Sequence, residues 1–460
     1  MSSSPGRKQI SSRRAALEAL LAITEGGAYS NMALKSQLTR GSWTDQERSL
    51  LTELVYGTVR VMNTLDWSLG HFLKGTLADL PAPIRNVLRL GAYQILYLDK
   101  IPARAAVHES VELAKIYGHQ GVASLVNGVL RTLIRRQEEL KFPSLQADPV
   151  GHISLKYSHP RWLVEKWLWR FGAKDTIALC QYNNSPAPLS IRVNTLRISR
   201  EELQDKLKEK GVLTRASRWV PEGLIIEKWQ GLEGLAEFQE GLFLLQDESS
   251  ILVSHALRPE EGSLVLDACA APGTKTTHLA QLMKNRGKII AFDLYPHKLA
   301  LIQDNCRRLG VKIVETKCAD ARNAGEIIGE KVDFALVDAP CSGLGVLGRR
   351  ADARWRKTPD QPAQLARIQL AILQGVASAL KSGGILVYST CSLAEEENEE
   401  VVKEFLAAND GFYLEDLTGV LPCSWQREED LQSLRSGYWQ ILPQAHGIDG
   451  FFLARFRKKN

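Results

Sequence analysis

Two cysteines carry the chemistry legible in this chain: Cys341 in VDAPCSGLG (337–345) and Cys391 in VYSTCS (387–392). Each follows a short apolar run and opens a turn-like stretch. In an open α/β sheet, strands of that kind aim their carboxyl ends at one shared crevice. Upstream, LVLDACAAPGTKTTHLA (264–280) reads as a strand, a small-residue loop and a helix. The amides of such a loop can approach a ligand closely and donate to it. Two thiols beside a nucleotide-type site point to covalent chemistry at an electrophilic carbon. Sulfur is the side-chain nucleophile that works near neutral pH, above all where a positive environment lowers its pKa.

The loop Cys269, Ala270, Ala271, Pro272, Gly273, Thr274 and Lys275 is the expected cofactor cradle, with Gly273 the residue that needs unusual dihedrals. Acids end the runs that follow: Asp293 after IIAF, Asp320 after the third run and Asp338 after FALV. An acid after the second strand is placed to accept from ribose hydroxyls. By the same progression Asp320 lies near an adenine ring and Asp338 faces the reacting group. Singly, each would more often be a helix cap or loop residue. Three in phase with the strands favour an adenosyl cofactor.

One reaction uses all these parts. C5 of cytosine is a poor nucleophile, but a thiolate added at C6 makes the ring enamine-like, and C5 can then attack a sulfonium methyl. Loss of the C5 proton releases the thiolate. The scheme needs a nucleophilic sulfur, a group that stabilises charge on the base, and a proton acceptor. Cys391, Cys341 and Asp338 are the candidates, and the residues alone leave open which thiol attacks. The bland reading of either thiol is a small buried hydrophobe.

The elements that must position these groups follow from the rest of the chain. Its 460 residues predict about three domains. A hydrophobic share of 44% and a charged share of 24% are those of a globular protein, and the net charge of +6 permits a nucleic-acid partner without demanding one. The seven cysteines are odd in number, widely spaced and free of CxxC pairs, which argues for reduced thiols and against a disulfide framework or a metal site. No apolar run approaches the ~18 residues of a membrane span, and MSSSPGRKQISSRR lacks the apolar core of a secretory signal. A cytoplasmic, monomeric enzyme without a membrane partner is expected.

Residues 1–145 read as a helical bundle, with a cap signal at Thr44–Asp45 and breaks at Pro81 and Pro83. Residues 146–240 read as a linker helix (WLVEKWLWRFG) and a small α+β module, in which LSIRVNT alternates as a strand does. From 241 to 460 strands and helices alternate through SLVLDA, KIIAFD, KIVETKCAD, VDFALVDA and GILVYST, and YWQILP with GFFLARFRK forms a terminal antiparallel pair. Five βα units followed by a hairpin is a Rossmann-like methyltransferase arrangement. A dehydrogenase would more often carry G-x-G-x-x-G after its first strand.

DAPCSG and STCS, with DACAAPGTK upstream, closely resemble the Sun family of RNA 5-methylcytosine methyltransferases, over roughly QDESS (246–250) to HGIDGFFLARF. The resemblance implies S-adenosylmethionine as cofactor, Cys391 as nucleophile and Cys341 as the thiol that assists product release. Thr274 stands where the family usually has a second glycine, so a positive φ there is in doubt. LRLGAYQILYLDKIPARAAVHESVELAKIYG and LVNGVLRTL resemble the helical NusB-type RNA-binding domain. That domain joined to this catalytic half, through YSHPRWLVEKW and PLSIRVNTL, resembles bacterial members that methylate a cytosine of small-subunit (16S) ribosomal RNA, so that RNA is the implied partner. Transfer RNA as substrate, or a non-catalytic assembly factor, are the rival readings.

RRADARWRK (349–357) follows the Cys341 loop and sets Arg349, Arg350, Arg354, Arg356 and Lys357 around Trp355. Cations for phosphates and a ring for stacking are what single-stranded RNA recognition uses, so these six residues are the expected RNA contacts. The alternative is a solvated charged turn with Trp355 in the core.

Overall fold

Local signals set the first helices. Ser11 accepts from the Arg14 amide and starts Ser12–Thr24. Thr44 and Glu47 form a reciprocal capping box ahead of Asp45–Arg60, at the predicted cap. Pro81 precedes Ala82–Tyr97 and Pro83 sits in its first turn, where a missing amide costs nothing. The helices Ala103–Tyr117 and Gln120–Arg136 follow. Their apolar faces meet in one core that includes Leu17, Leu20, Leu54, Val87, Leu130 and Leu133, all buried. The Trp-rich segment is the helix Arg161–Asn184, interrupted at Gly172, whose φ of 72° is the left-handed value glycine permits.

The computed structural model describes residues 10–228, 234–424 and 427–460. It divides into two compact units, Met1–Pro186 with Leu347–Lys357, and Ala187–Val346 with Thr358–Asn460. The boundary read near residue 145 therefore falls inside the helical unit, which also takes back the short segment 347–357. No described helix is long and apolar enough to cross a membrane.

The second unit holds two sheets. The strands in chain order are β1 (Leu189–Val193), β2 (Leu213–Ala216), β3 (Gly223–Lys228), β4 (Phe243–Leu245), β5 (Leu264–Asp267), β6 (Lys288–Asp293), β7 (Val314–Cys318), β8 (Val332–Asp338), β9 (Leu380–Thr390), β10 (Phe412–Leu414), β11 (Tyr438–Ile441) and β12 (Phe451–Lys458). The smaller sheet has the order β2-β3-β1-β4 and is antiparallel. The larger has the order β10-β12-β9-β8-β5-β6-β7, with β11 beside β12. Strands β5 to β9 are parallel, and β12 lies antiparallel to β9, β10 and β11. The predicted terminal pair is present, and β10, three residues long, was not foreseen. From β5 the chain steps outward through β6 and β7, then returns to the far side as β8 and β9. Such a reversal opens a crevice at the carboxyl ends of β5 and β8.

Candidate active site

The loops after β8 and β9 are tied to one another, because Asp338 and Ser389 are register partners and the Gly345 amide donates to the Cys391 carbonyl at 2.9 Å. This brings Cys341 Sγ to 3.3 Å from Cys391 Sγ, both half-buried and neither in a disulfide. The contact with the Cys391 sulfur, followed by burial, holds the Cys341 thiol well above the usual thiol range. Cys341 thus keeps its proton and can donate it to the neighbouring sulfur. Gly343, at φ 72°, turns the loop back beneath the pair.

Glu397, which the sequence reading did not single out, holds both loops. It is fully buried. One oxygen accepts from the Ser342 amide (2.7 Å) and from Gln369 Nε2 (3.1 Å). The other accepts from the hydroxyls of Ser342 and Ser392, the neighbours of the two cysteines. A buried carboxylate survives only when its lone pairs are filled in this way. Next to it, Asn398 accepts from Thr390 Oγ1 (2.6 Å) and donates to the Ser392 carbonyl (3.0 Å).

Beyond β5, Gly273 takes φ 95°, and a Cβ there would lie 3.1 Å from the Ile302 backbone. Thr274 begins the helix Thr274–Leu282 and needs no positive φ, which removes the doubt raised by the missing second glycine. Lys275 pairs with Asp338 at 2.8 Å, and Ser389 Oγ donates to the other Asp338 oxygen at 2.8 Å. Asp293 is nearly buried and accepts from the Tyr295 amide, while Asp320 caps a short turn and pairs with Arg322. A fourth acid, Asp267 at the end of β5, is fully buried with Thr276 Oγ1 on one oxygen, and its Oδ1 makes no hydrogen bond of normal geometry. Burial pushes its pKa up to about 7. Burial, then the charges of Asp267, Asp338, Asp293 and Asp320, raise the pKa of the Cys269 thiol, so all four acids lie within electrostatic reach of the cradle loop.

Arg192 and Gln246 were also not recognised as site residues. Arg192 lies on β1, fully buried, and donates to Gln246 Oε1, the Thr274 carbonyl and Thr277 Oγ1, which pins the start of the cradle helix. On a strand that alternates Leu189, Ile191 and Val193 with Ser190 and Arg192, nothing marked it as buried. Cysteine spacing in the sequence points to no metal site. The fold brings Glu222, His255 and His278 together, with Glu222 Oε1 2.8 Å from His255 Nε2 and 2.7 Å from His278 Nε2. Burial lowers the His278 pKa to about 3, so its imidazole is neutral.

The basic segment 349–357 corrects an expectation. Arg354 is fully buried in the helical unit and donates to the carbonyls of Ser158 and Asn183 and to Asn184 Oδ1, with a longer contact to the Arg60 carbonyl. Trp355 packs on the helical core and donates to the Val59 carbonyl at 2.8 Å. Arg356 donates to the Gly27 and Ala28 carbonyls and lies over the Tyr29 ring. Arg60 and Asn184 close the helices Asp45–Arg60 and Arg161–Asn184. The last carbonyls of a helix lack intrahelical partners and carry partial negative charge. Arg354 and Trp355 answer carbonyls at those helix ends and Arg356 answers those of the 27–28 loop, so the three are engaged within the helical unit. Arg350 is exposed, while Arg349 and Lys357 are half-buried.

A family profile described as 16S rRNA methyltransferase RsmB/F matches residues 254–457. Others match the NusB family over 10–135 and the ferredoxin-like domain of RsmF/B-like methyltransferases over 159–232. The chain is 43% identical to the "Probable ribosomal RNA small subunit methyltransferase B" of Bacillus subtilis, covering 98% of this chain and 100% of that one. It is 37% identical to the protein of the same description from Synechocystis, with 98% and 100% covered. Among solved structures, PH0851 superposes with a TM-score of 0.81 at 30% identity over 98% of this chain and 100% of that chain. NSun6 from Pyrococcus horikoshii with SFG gives 0.59 at 28% identity over 65% and 98%. With a NusB-type helical domain, a ferredoxin-like module, a methyltransferase sheet and this identity along its whole length, the chain belongs to the ribosomal RNA small subunit methyltransferase B family.

Proposed function

We propose that this rRNA methyltransferase is S-adenosylmethionine-dependent and methylates C5 of a cytosine in 16S ribosomal RNA, position 967 by family resemblance. The attack on C6 is made by the Cys391 thiolate. The observation that carries the reading is the 3.3 Å approach of Cys341 and Cys391. The four acids near the cradle, with an Asp267 oxygen that has no hydrogen bond of normal geometry, fit an adenosyl group rich in hydroxyl and amine donors. Gly273 leaves room for a close approach, with residues 269–275 and Asp293 as the holding set. When bound there, S-adenosylmethionine supplies an electrophilic methyl.

The residues divide the remaining work. By the family resemblance Cys391 is the thiol that adds to C6, with Cys341 held beside it at 3.3 Å. The Asp338 carboxylate, steadied by Lys275 and Ser389, accepts from the exocyclic amine of cytosine, the donor such carboxylates read. Cys341 serves the second half of the reaction: its thiol proton passes to the Cys391 sulfur as the C6–sulfur bond breaks, and its own sulfur takes up the C5 proton, so both thiols are regenerated. An unpaired cytosine is the favoured substrate, because extruding a base costs a few kcal/mol and least where it is already single-stranded. Bisulfite sequencing of rRNA from a deletion strain tests the reading. Loss of one 16S methylcytosine, restored by the gene, is expected. An unchanged 16S pattern with a lost transfer-RNA mark would replace it.

A further inference from the structure

The helices Ala103–Tyr117 and Gln120–Arg136 leave a groove of about 720 Å³ between them. Arg104, His108 and Val111 line one wall, and Asn127, Arg131 and Arg135 line the other. Positions 104, 107, 108 and 111, and 127, 128, 131, 132 and 135, follow the spacing that gathers side chains on one face of a helix. The cations thus form two facing rows. Arg104, His108, Arg131 and Arg135 are all exposed, and no carboxylate lines the groove. Asn127 and Thr132 add neutral hydrogen-bonding groups, and above Gly128 a Cβ would meet only open space. The neighbouring cations behave differently, since Lys115 and Arg136 are paired with Glu112 and Glu139.

We propose that this groove binds the sugar–phosphate backbone of the RNA substrate, with Arg104, Arg131 and Arg135 at phosphates. The inference rests on the RNA-methylation reading above and adds to it a site in the helical unit. Arg131 and Arg135 are one helical turn apart, about 6 Å along the axis, so they can engage successive charges on an extended anion. Guanidinium groups suit phosphate because their forked donors match its oxygens. No acid lines the groove, and Glu112, which lies within reach of His108, is paired with Lys115. Such contacts position the RNA without reading its sequence.

The test uses the full-length protein and an unmodified 16S rRNA transcript. The Arg131→Glu/Arg135→Glu variant is compared with Lys206→Glu/Lys208→Glu, a double reversal on an exposed helix face of the other unit. Near-wild-type melting is the entry condition for both, and Arg131→Gln/Arg135→Gln replaces the first variant if it fails. A tenfold or greater rise in KM at unchanged kcat is expected, with the slope of log affinity against log salt reduced by about 1.4 for two lost phosphates on a single strand. The lysine control should move neither by comparable amounts. Equal KM and slope in wild type and variant, or an equal effect of the control, would overturn the groove assignment. So would unchanged RNA affinity with lost binding of polyglutamate, which would make it a docking site for acidic protein. A wild-type protein that binds the transcript but leaves it unmethylated would instead sink the functional reading and leave the groove standing.

Discussion

Cys341 Sγ lies 3.3 Å from Cys391 Sγ, although 50 residues separate them in the chain. Parallel neighbours β8 and β9 deliver the two thiols to one point, and the shared carboxylate of Glu397 keeps them there. Cys391 is the proposed nucleophile and Cys341 the proposed releasing thiol, so the two single substitutions should fail in different ways.

Cys391→Ala is expected to abolish methyl transfer and every covalent protein–RNA adduct. Cys341→Ala should still attack and transfer, then stall, because removing a group needed only for elimination traps the intermediate. A denaturing gel with labelled RNA reads both. An adduct trapped by Cys391→Ala but not by Cys341→Ala would reverse the roles. No adduct from any form, even with 5-fluorocytosine RNA, would count against covalent catalysis.

Asp293→Ala should weaken S-adenosylmethionine binding by about 1.5–3 kcal/mol, the scale of a hydrogen bond to a charged group. Calorimetry on the purified protein measures it directly. Unchanged affinity would remove the ribose assignment. Asp320, already engaged by Arg322, should matter less.

Asp267 should make the protein lose stability as pH rises. Its folded pKa is about 7 against 3.8 when unfolded, so the folded state binds more protons between those values. The contribution is fully present below the lower value and lost as pH climbs through the upper one, by at most about 4 kcal/mol. Asp267→Asn should flatten this slope. Denaturant melts of the cofactor-free protein at pH 5 and pH 8 check it: wild type and variant should differ more, in the variant's favour, at pH 8. A gap that is the same at both pH values would dismiss the idea.

Arg354→Met should destabilise the helical unit by about 3 kcal/mol, since it leaves buried carbonyls and Asn184 Oδ1 without donors. The salt dependence of RNA binding should stay as in wild type. A flattened slope with unaltered melting would restore this arginine as an RNA contact.

Much of the site was legible because strand-end positions announce themselves. The apolar strands β5, β6, β8 and β9 end in Asp267, Asp293, Asp338 and Thr390, and the loops after β5, β8 and β9 bear Gly273, Cys341 and Cys391. What stayed hidden were charges that the fold swallows. Glu397 sits in an acidic stretch that reads as solvated, and only its packing shows four donors around it. Arg192 looked like an outward position on an alternating strand. The segment 349–357 misled for the opposite reason: five cations around a tryptophan are an RNA signature by composition, and nothing local reveals that helix ends 170 to 296 residues away supply the acceptors.

The return of residues 347–357 to the helical unit bears on how this gene can be inherited. A domain joined only at its end can be lost or exchanged by one recombination event. Here an exchange at Pro186 would separate Arg354 and Trp355 from Asn183, Ser158 and Val59. A lineage that discards the NusB-type segment must therefore rewrite the Cys341 downstream loop at the same time.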